Sequence, residues 1–248
     1  MKKLLTLAAC GLLLTMPVQA AEGESLTTAQ KTEVEAIIRQ FLIEKEPDTI
    51  MKAIEVLKQR DQQQQMVVAK EAVAKHKDRI YDEPSSPVLG NPKGDVTIVE
   101  FYDYACGYCK MAQPIVEDIL KNDKNVRFIA KEFPILGEGS VLGARAALAS
   151  VKQKKFEKFH ATLMAFRGQI NDGAITDIAQ RAGLDAAQLK RDMNDKAIDD
   201  IIATNRKLGN DLGVRGTPMF IIGDAVVPGA MDAEAIKKAI ADARAAKK

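Results

Sequence analysis

Apolar positions follow two different rhythms along this chain, and the change of rhythm divides it. From Thr27 to about Asp78 they recur three and four residues apart in a charged, almost glycine-free background: Val34, Ile37, Ile38, Phe41 and Leu42, then Ile50, Ile54 and Leu57. That spacing puts them on one face of a helix. Thr27 or Thr28 can cap a first helix, Pro47 interrupts it, and Asp48 or Thr49 can start a second. The second is predicted to run to about Asp78, roughly 45 Å at about 1.5 Å per residue. Its stretch Lys58 to Gln65 is wholly polar before Met66, Val67, Val68 and Val73. Gln62 to Gln65 reads as an exposed face or a flexible joint. An apolar stripe on so extended a segment cannot bury against itself. It lies on the downstream chain, pairs with copies of itself, or stays solvated as a leader without a role. Two such stretches in tandem favour self-association.

Asp82-Glu83-Pro84-Ser85-Ser86-Pro87 reads as a linker, so residues 21–83 form a helical oligomerisation segment and residues 84–248 a separate domain. There the rhythm changes. Val96 to Asp103 is a near-continuous apolar run of the kind found in buried strands. Lys110 to Leu120 reads as a helix with Pro114 inside it, where proline should kink it. Val126 to Ala130 is a second strand. Helical patterns fill most of Val141 to Leu212, with breaks near Gly168–Gly173 and Gly183–Asp185. Phe220–Ile222 and Ala225–Val227 flank Gly223-Asp224 as a hairpin, and Met231 to Lys247 is a closing helix. The order is that of an α/β layer fold with a helical insertion at about 138–212.

The N-terminus changes the compartment. Lys2 and Lys3, the apolar run Leu4 to Met16, and Val18-Gln19-Ala20 before Ala21 have the form of a signal peptide over residues 1–20. Leu7-Ala8-Ala9-Cys10 also fits a lipoprotein signal. Only about six apolar residues would precede that cut, where about 7–15 are needed, so soluble export to the periplasm is favoured. No other stretch approaches the about 18 apolar residues of a membrane span. Lys and Arg number 36 against 34 Asp and Glu; without Lys2 and Lys3 the balance is 34 against 34. Neutrality argues against nucleic acid or another polyanion as the main partner. Trp is absent and aromatics are 5% of the chain, too few for a base-stacking platform.

The chemistry centres on cysteine. The chain has three, Cys10, Cys106 and Cys109, and export removes the first. A strand delivers Cys106 to a helix N-terminus, where backbone N–H groups and the helix dipole stabilise negative charge. A thiol so placed has a lowered pKa, and the thiolate is the species that attacks disulfides. Gly107 and Tyr108 between the sulfurs let one helical turn hold both. Two cysteines this close pair in an oxidising compartment. A loop this short removes little chain entropy, so a purely structural bridge is the weaker reading. Pro218, in Gly216-Thr217-Pro218-Met219-Phe220, stands at the start of a strand, a place where a cis bond is a fair expectation.

Val99 to Cys109, Pro114 and Gly216-Thr217-Pro218 together resemble the thioredoxin superfamily, and within it the DsbA-like thiol:disulfide oxidoreductases. Leu89-Gly90-Asn91-Pro92 with Gly94-Asp95 is similar to the opening of this domain in bacterial relatives. The resemblance covers about Pro84 to Lys248. The helical leader is similar to the N-terminal oligomerisation segment of the ScsC-type branch, which DsbA itself lacks. The resemblance implies a thioredoxin fold, with Cys106 as exposed nucleophile, Cys109 as resolving thiol and Pro218 as the cis-proline beside them. Thr217 would offer its backbone to an extended substrate segment, as in strand addition. Glu100 matches a buried acid that moves protons around the resolving cysteine; taken alone it reads equally as an edge-strand carboxylate. DsbA has Pro-His between its cysteines where this chain has Gly107-Tyr108. Tyrosine cannot supply the positive charge of histidine near neutral pH, so a less oxidising couple than DsbA is expected.

Other chemistries have less support. Cys106 and Cys109 are half a zinc site without a second ligand pair, since His76 and His160 fall in different segments. His160 reads as a helix-packing residue. Copper(I) suits two soft thiolates, and ScsC-type relatives are linked to copper tolerance. No phosphate loop or serine-nucleophile signature is present. The expected function is a periplasmic disulfide oxidoreductase or isomerase acting on exported proteins. It needs no organic cofactor and is reset by a DsbB-like or DsbD-like membrane partner. The competing reading is a periplasmic chaperone or copper(I)-binding protein whose thiols are ligands.

Overall fold

The apolar run ahead of Cys106 is the central strand of a five-stranded sheet in the computed structural model, which describes residues 26–246. The expected signal peptide, Cys10 included, lies outside the described residues. The strands are β1 (Val88–Gly90), β2 (Val96–Tyr102), β3 (Val126–Glu132), β4 (Met219–Ile222) and β5 (Ala225–Pro228), in the order β1-β3-β2-β4-β5. β2 and β3 are parallel, with Tyr102 opposite Glu132 and Glu100 opposite Ala130. The other pairings are antiparallel. A strand covered on both faces reads as a continuous apolar run rather than an alternating one, which accounts for the sequence of β2.

One face of the sheet carries Ile98, Tyr102, Phe128 and Ala130 against α4 (Gly107–Asn122) and helices from the insertion. The opposite face carries Val99, Phe101, Ile129 and Phe133. It is closed by Val73 near the end of α2 (Thr49–Lys75), Ile80 of α3 (Lys77–Tyr81), and Leu208 and Leu212. The helical insertion between β3 and β4 holds α5 (Glu138–Ser150), α6 (Phe156–Ala165), α7 (Asp172–Arg181), α8 (Ala186–Asp192) and α9 (Lys196–Asp211). Polar residues start these helices where the sequence breaks: Asn171, Asp185 and Asp195 each accept a backbone N–H of the following turn, supplying a partner for an otherwise unpaired donor. After the β4–β5 hairpin, Asp232 caps α10 (Ala233–Ala245) in the same way. α4 continues through Pro114 without a break.

The chain forms two compact units, one up to Gln59 and one from Arg60. In the first, Thr27 caps α1 (Thr28–Arg39) through a capping box with Gln30, and a π-helical stretch, Gln40–Lys45, ends before Pro47. None of its described residues is buried. The division differs from the one expected at Pro84 because Val73 and Ile80 belong to the core of the second unit. The Pro84–Pro87 stretch is a turn inside that unit, held where Ala130 N donates to Pro87 O at 2.9 Å. The long helix also stops at Lys75 rather than near Asp78. The chain bends at His76 and restarts as α3, which lets Ile80 reach the sheet. β1 was not expected as a strand. It pairs with β3 through Val88, Leu89 and Gly90. Gly90 has φ +70°, and a Cβ there would stand 2.7 Å from Val126 O, so only glycine fits.

Candidate active site

β2 ends at Tyr102, and the next four residues make the turn that presents Cys106. Asp103 builds that turn. Its Oδ1 accepts from Ala105 N at 2.7 Å, and its main-chain oxygen accepts from Cys106 N at 3.1 Å. Its Oδ2 accepts from Ile135 N and Leu136 N at 2.8 and 3.0 Å, which ties the turn to the segment after β3. Asp103 was not singled out from the sequence, although aspartate before a short turn is a recognisable signal.

Cys106 is the N-cap of α4, with extended backbone, and its side chain makes no capping hydrogen bond. The first-turn N–H groups of α4 therefore face the sulfur side without a side-chain acceptor, the setting in which a helix end stabilises an anion. Cys106 Sγ donates to Thr217 O at 3.2 Å, and the Thr217–Pro218 bond is cis. The expectation of an exposed nucleophile is corrected here: Cys106 is 6% exposed, because the Thr217–Pro218 segment covers it. Tyr108 and Met111 on the same helix are 63% and 58% exposed.

Cys109 lies one turn further on and is 1% exposed. Burial pushes its thiol well above the usual range, and the Glu100 carboxylate pushes it further. Both cysteines are free thiols. Glu100 is 1% exposed, on β2 between β3 and β4, so the edge-strand alternative does not hold. Burial, and then the charge of Cys106, raise its carboxyl to about 8. Cys106, Cys109, Glu100, Thr217 and Pro218 thus meet at one end of the sheet. The arrangement sets one sulfur at a helix N-terminus, keeps the other protonated, and places a carboxyl that can exchange a proton beside it.

His160 does not join the cysteines. It is buried on α6, stacks on Phe156 with ring centroids 5.4 Å apart, and burial lowers it to about 3. His76 stands before α3, with Arg79 Nη1 3.4 Å from its Nδ1. Among the described residues no group of three His, Cys, Asp or Glu could hold a metal ion. Two buried groups escaped sequence reading altogether. Glu132 accepts from Tyr102 Oη, and Lys131 donates to Arg79 O at 2.9 Å.

Residues 97–241 match the family model of the DSBA-like thioredoxin domain. A thioredoxin-like oxidoreductase from Silicibacter pomeroyi is 45% identical, with a TM-score of 0.66 over 68% of this chain and 97% of that one. ScsC of Proteus mirabilis, as a linker-deletion mutant, is 28% identical with a TM-score of 0.68 and covers 91% of this chain and 100% of its own. Disulfide bond formation protein D of Bacillus subtilis is 25% identical over 178 residues, 66% of this chain and 80% of that protein. The chain spans about a quarter of the length of the first curated relatives it matches, among them a sodium/proton antiporter of Salinispora arenicola that is 28% identical over 158 residues, 63% of this chain and 24% of the antiporter. Described helices include none long and apolar enough to cross a membrane. The chain belongs to the DSBA-like thioredoxin-domain family.

Proposed function

We propose that this protein is a periplasmic thiol:disulfide oxidoreductase that forms and isomerises disulfides in exported proteins through Cys106 and Cys109. The observation that carries the reading is the unequal placing of the two sulfurs. Cys106 caps a helix beside the cis-proline segment, while Cys109 is buried next to Glu100.

In the oxidised enzyme a client thiolate attacks Cys106 Sγ. The Cys106–Cys109 bond breaks, a mixed disulfide forms, and Cys109 leaves as a thiolate that takes a proton from Glu100. A second client thiolate then attacks the client sulfur of the mixed disulfide. Cys106 leaves as a thiolate at the helix N-terminus, the client holds a new disulfide, and the enzyme is a dithiol. In the reduced enzyme Cys106 attacks a wrong client disulfide, and either a client thiol or Cys109 resolves the product. The client segment lies extended along Thr217, whose carbonyl exchanges the Cys106 thiol for a client N–H. A DsbB-like or DsbD-like membrane protein resets the pair, and the Gly107-Tyr108 dipeptide keeps its potential below that of DsbA. Residues 21–83 join copies of the chain, so that several sites meet one client and isomerisation is favoured.

Reactivation of scrambled ribonuclease in a glutathione buffer tests this reading. The full mature chain should reactivate it, and Cys106→Ser should not. A Cys106→Ser, Cys109→Ser double variant that keeps full function in cells would instead point to a chaperone or copper(I)-binding role.

A further inference from the structure

A chain of hydrogen bonds runs from β3 to α4 on the Glu100 face of the sheet. Tyr102 Oη donates to Glu132 Oε1. Tyr104 Oη stands 3.2 Å from the same oxygen and 2.8 Å from His160 Nδ1. His160 Nε2 is 2.9 Å from Gln113 Oε1, and Gln113 Nε2 donates to Glu117 Oε1 at 2.9 Å. Tyr102, Tyr104, Glu132 and His160 are buried, whereas Glu117 is exposed.

The hydrogens in this chain can be ordered. Gln113 turns its N–H₂ toward Glu117, so its oxygen accepts from His160. A neutral imidazole has a single N–H. His160 therefore carries it on Nε2, and Nδ1 accepts from Tyr104. The same Tyr104 hydroxyl is also placed to donate to Glu132 Oε1, whose carboxyl keeps its proton through burial. The links run unbroken from β3 to α4. Such a chain can pass a proton with only small shifts of heavy atoms.

Both ends are suited to exchange. At the outer end His160 and Gln113 line a cavity of about 740 Å³ with Glu117, Lys121, Lys124 and Lys158. Cys106, Cys109, Thr217 and Pro218 are not among its lining residues, so a client seated on the cysteines leaves it open. At the inner end Glu132 Oε2 is buried without a hydrogen-bond partner. Such an oxygen is a seat for water. Glu100 lies on the neighbouring strand and the same face, two positions from Glu132 in the register. Strand spacings put the two α-carbons roughly 8 Å apart. The ionisable and polar groups facing Glu132 are Tyr102, Tyr104 and Asp103. His160 faces the rings of Tyr102, Tyr104 and Phe156, and Gln113 of α4.

We infer that Glu132, Tyr104 and His160 form a proton outlet for the redox pair, used while a client covers the cysteines. The inference rests on the redox role proposed above. When Cys109 resolves a mixed disulfide, its sulfur bonds to Cys106 Sγ, the Cys106–client S–S bond breaks, and the client sulfur leaves with the electron pair. The Cys109 proton is then on Glu100. It passes by water to Glu132, on through Tyr104 and His160 to water in the cavity, and the same path run inward returns a proton to Glu100 before the oxidised pair is next attacked. Tyr104 and His160 conduct the proton and touch neither sulfur nor client.

Infrared spectroscopy of the full mature chain tests this, reading how fast the protonated carboxyl bands shift on transfer to D₂O, with bands assigned by Glu100→Gln and Glu132→Gln. Tyr104→Phe removes one oxygen and should slow the shift about tenfold, a modest share of what positioned proton transfer contributes. Ala161 also lines the cavity; Ala161→Phe narrows it and removes no side-chain hydrogen bond, and it should slow the shift as well. It decides the matter if Tyr104→Phe does not fold. A merely structural role would lower stability without changing exchange. Exchange at the native rate in the folded variants overturns the outlet. Cys106→Ser abolishes disulfide exchange but leaves the path from Glu132 intact, so Tyr104→Phe should slow exchange of the Glu132 band in that background too, and failure of the redox reading and failure of the outlet are told apart.

Discussion

Ile37 and Ile80 are the same side chain, each on a helix, and they end in opposite environments. Ile37, on the twelve-residue α1, is 58% exposed, while Ile80, on the five-residue α3, is fully buried. The shorter helix is covered because the outer face of the sheet offers Val99, Phe101 and Ile129 to it. Periodicity identifies the face that gains from burial. It does not identify the surface that buries it. In the second unit the sheet supplies that surface; in the first, Val34, Ile37, Ile38 and Phe41 all remain exposed, and the proposed assembly of copies is what would cover them.

The largest expected effect separates these two isoleucines. Ile80→Ala removes a fully buried side chain and should cost about 2–5 kcal/mol of stability in urea unfolding of the full chain. Ile37→Ala should change it by less than about 0.5 kcal/mol at high dilution, as exposed substitutions do. At concentrations where copies assemble, Ile37→Ala should lower stability and Ile37→Asp should shift the sedimentation velocity toward single chains. A loss for Ile37→Ala as great as for Ile80→Ala, independent of concentration, would break the comparison.

Two buried titrating groups of the second unit should move its stability in opposite directions. Glu100 is raised from its ordinary value to about 8. Between pH 4.5 and 8 the folded state therefore holds more protons, and stability falls as pH rises through that window. His160 is lowered to about 3. Between pH 3 and 6.5 the unfolded state holds more protons, so stability is lost as pH falls through that window. Together they place a maximum near pH 5–6 in melting temperature. Glu100→Gln should flatten the alkaline side by an amount on the order of a few kcal/mol, and leave the acid side. An alkaline slope unchanged in Glu100→Gln would show that another group carries it. The first unit holds no buried described residue and should contribute to neither slope.

Much of the second unit was legible because its signals are local. A strand running into Cys-Gly-Tyr-Cys, a Gly-Asp hairpin and glycine-marked breaks between helices each announce themselves within a few residues, and the cis proline stood where a strand starts. What stayed hidden depends on distance along the chain. β1 is three residues long and has no alternation to detect. The Pro84–Pro87 stretch has the composition of a linker, yet it is a turn of the folded unit, because Val73 and Ile80 reach across it to the sheet. Glu132 looks like an ordinary charge at the end of a strand. Only the parallel register that sets it opposite Tyr102, and the helical insertion that brings His160 to Tyr104, make it part of a buried chain. Glu100 could be read both ways until β4 was seen to cover the second edge of β2.

The smallest effect sharpens the comparison between units. Thr27 and Asn171 do the same work at two helix starts. Thr27 Oγ1 accepts from Gln30 N at 3.3 Å, and Asn171 Oδ1 accepts from Ala174 N at 2.9 Å. Replacing either by alanine removes a cap that contributes about 1 kcal/mol. The consequences should differ. α7 is anchored by the buried Ile175 and Ile178, so Asn171→Ala should appear as a loss of about 1 kcal/mol in the unfolding of the whole second unit. α1 has no buried residue, and a solitary helix of about that length is marginal in water. Thr27→Ala should leave global unfolding unchanged and speed amide hydrogen exchange over residues 28–31, with Thr27→Ser restoring protection. If Thr27→Ala instead lowers the global transition, and does so more at high protein concentration, α1 is part of a cooperative core that only assembled copies of this chain can supply.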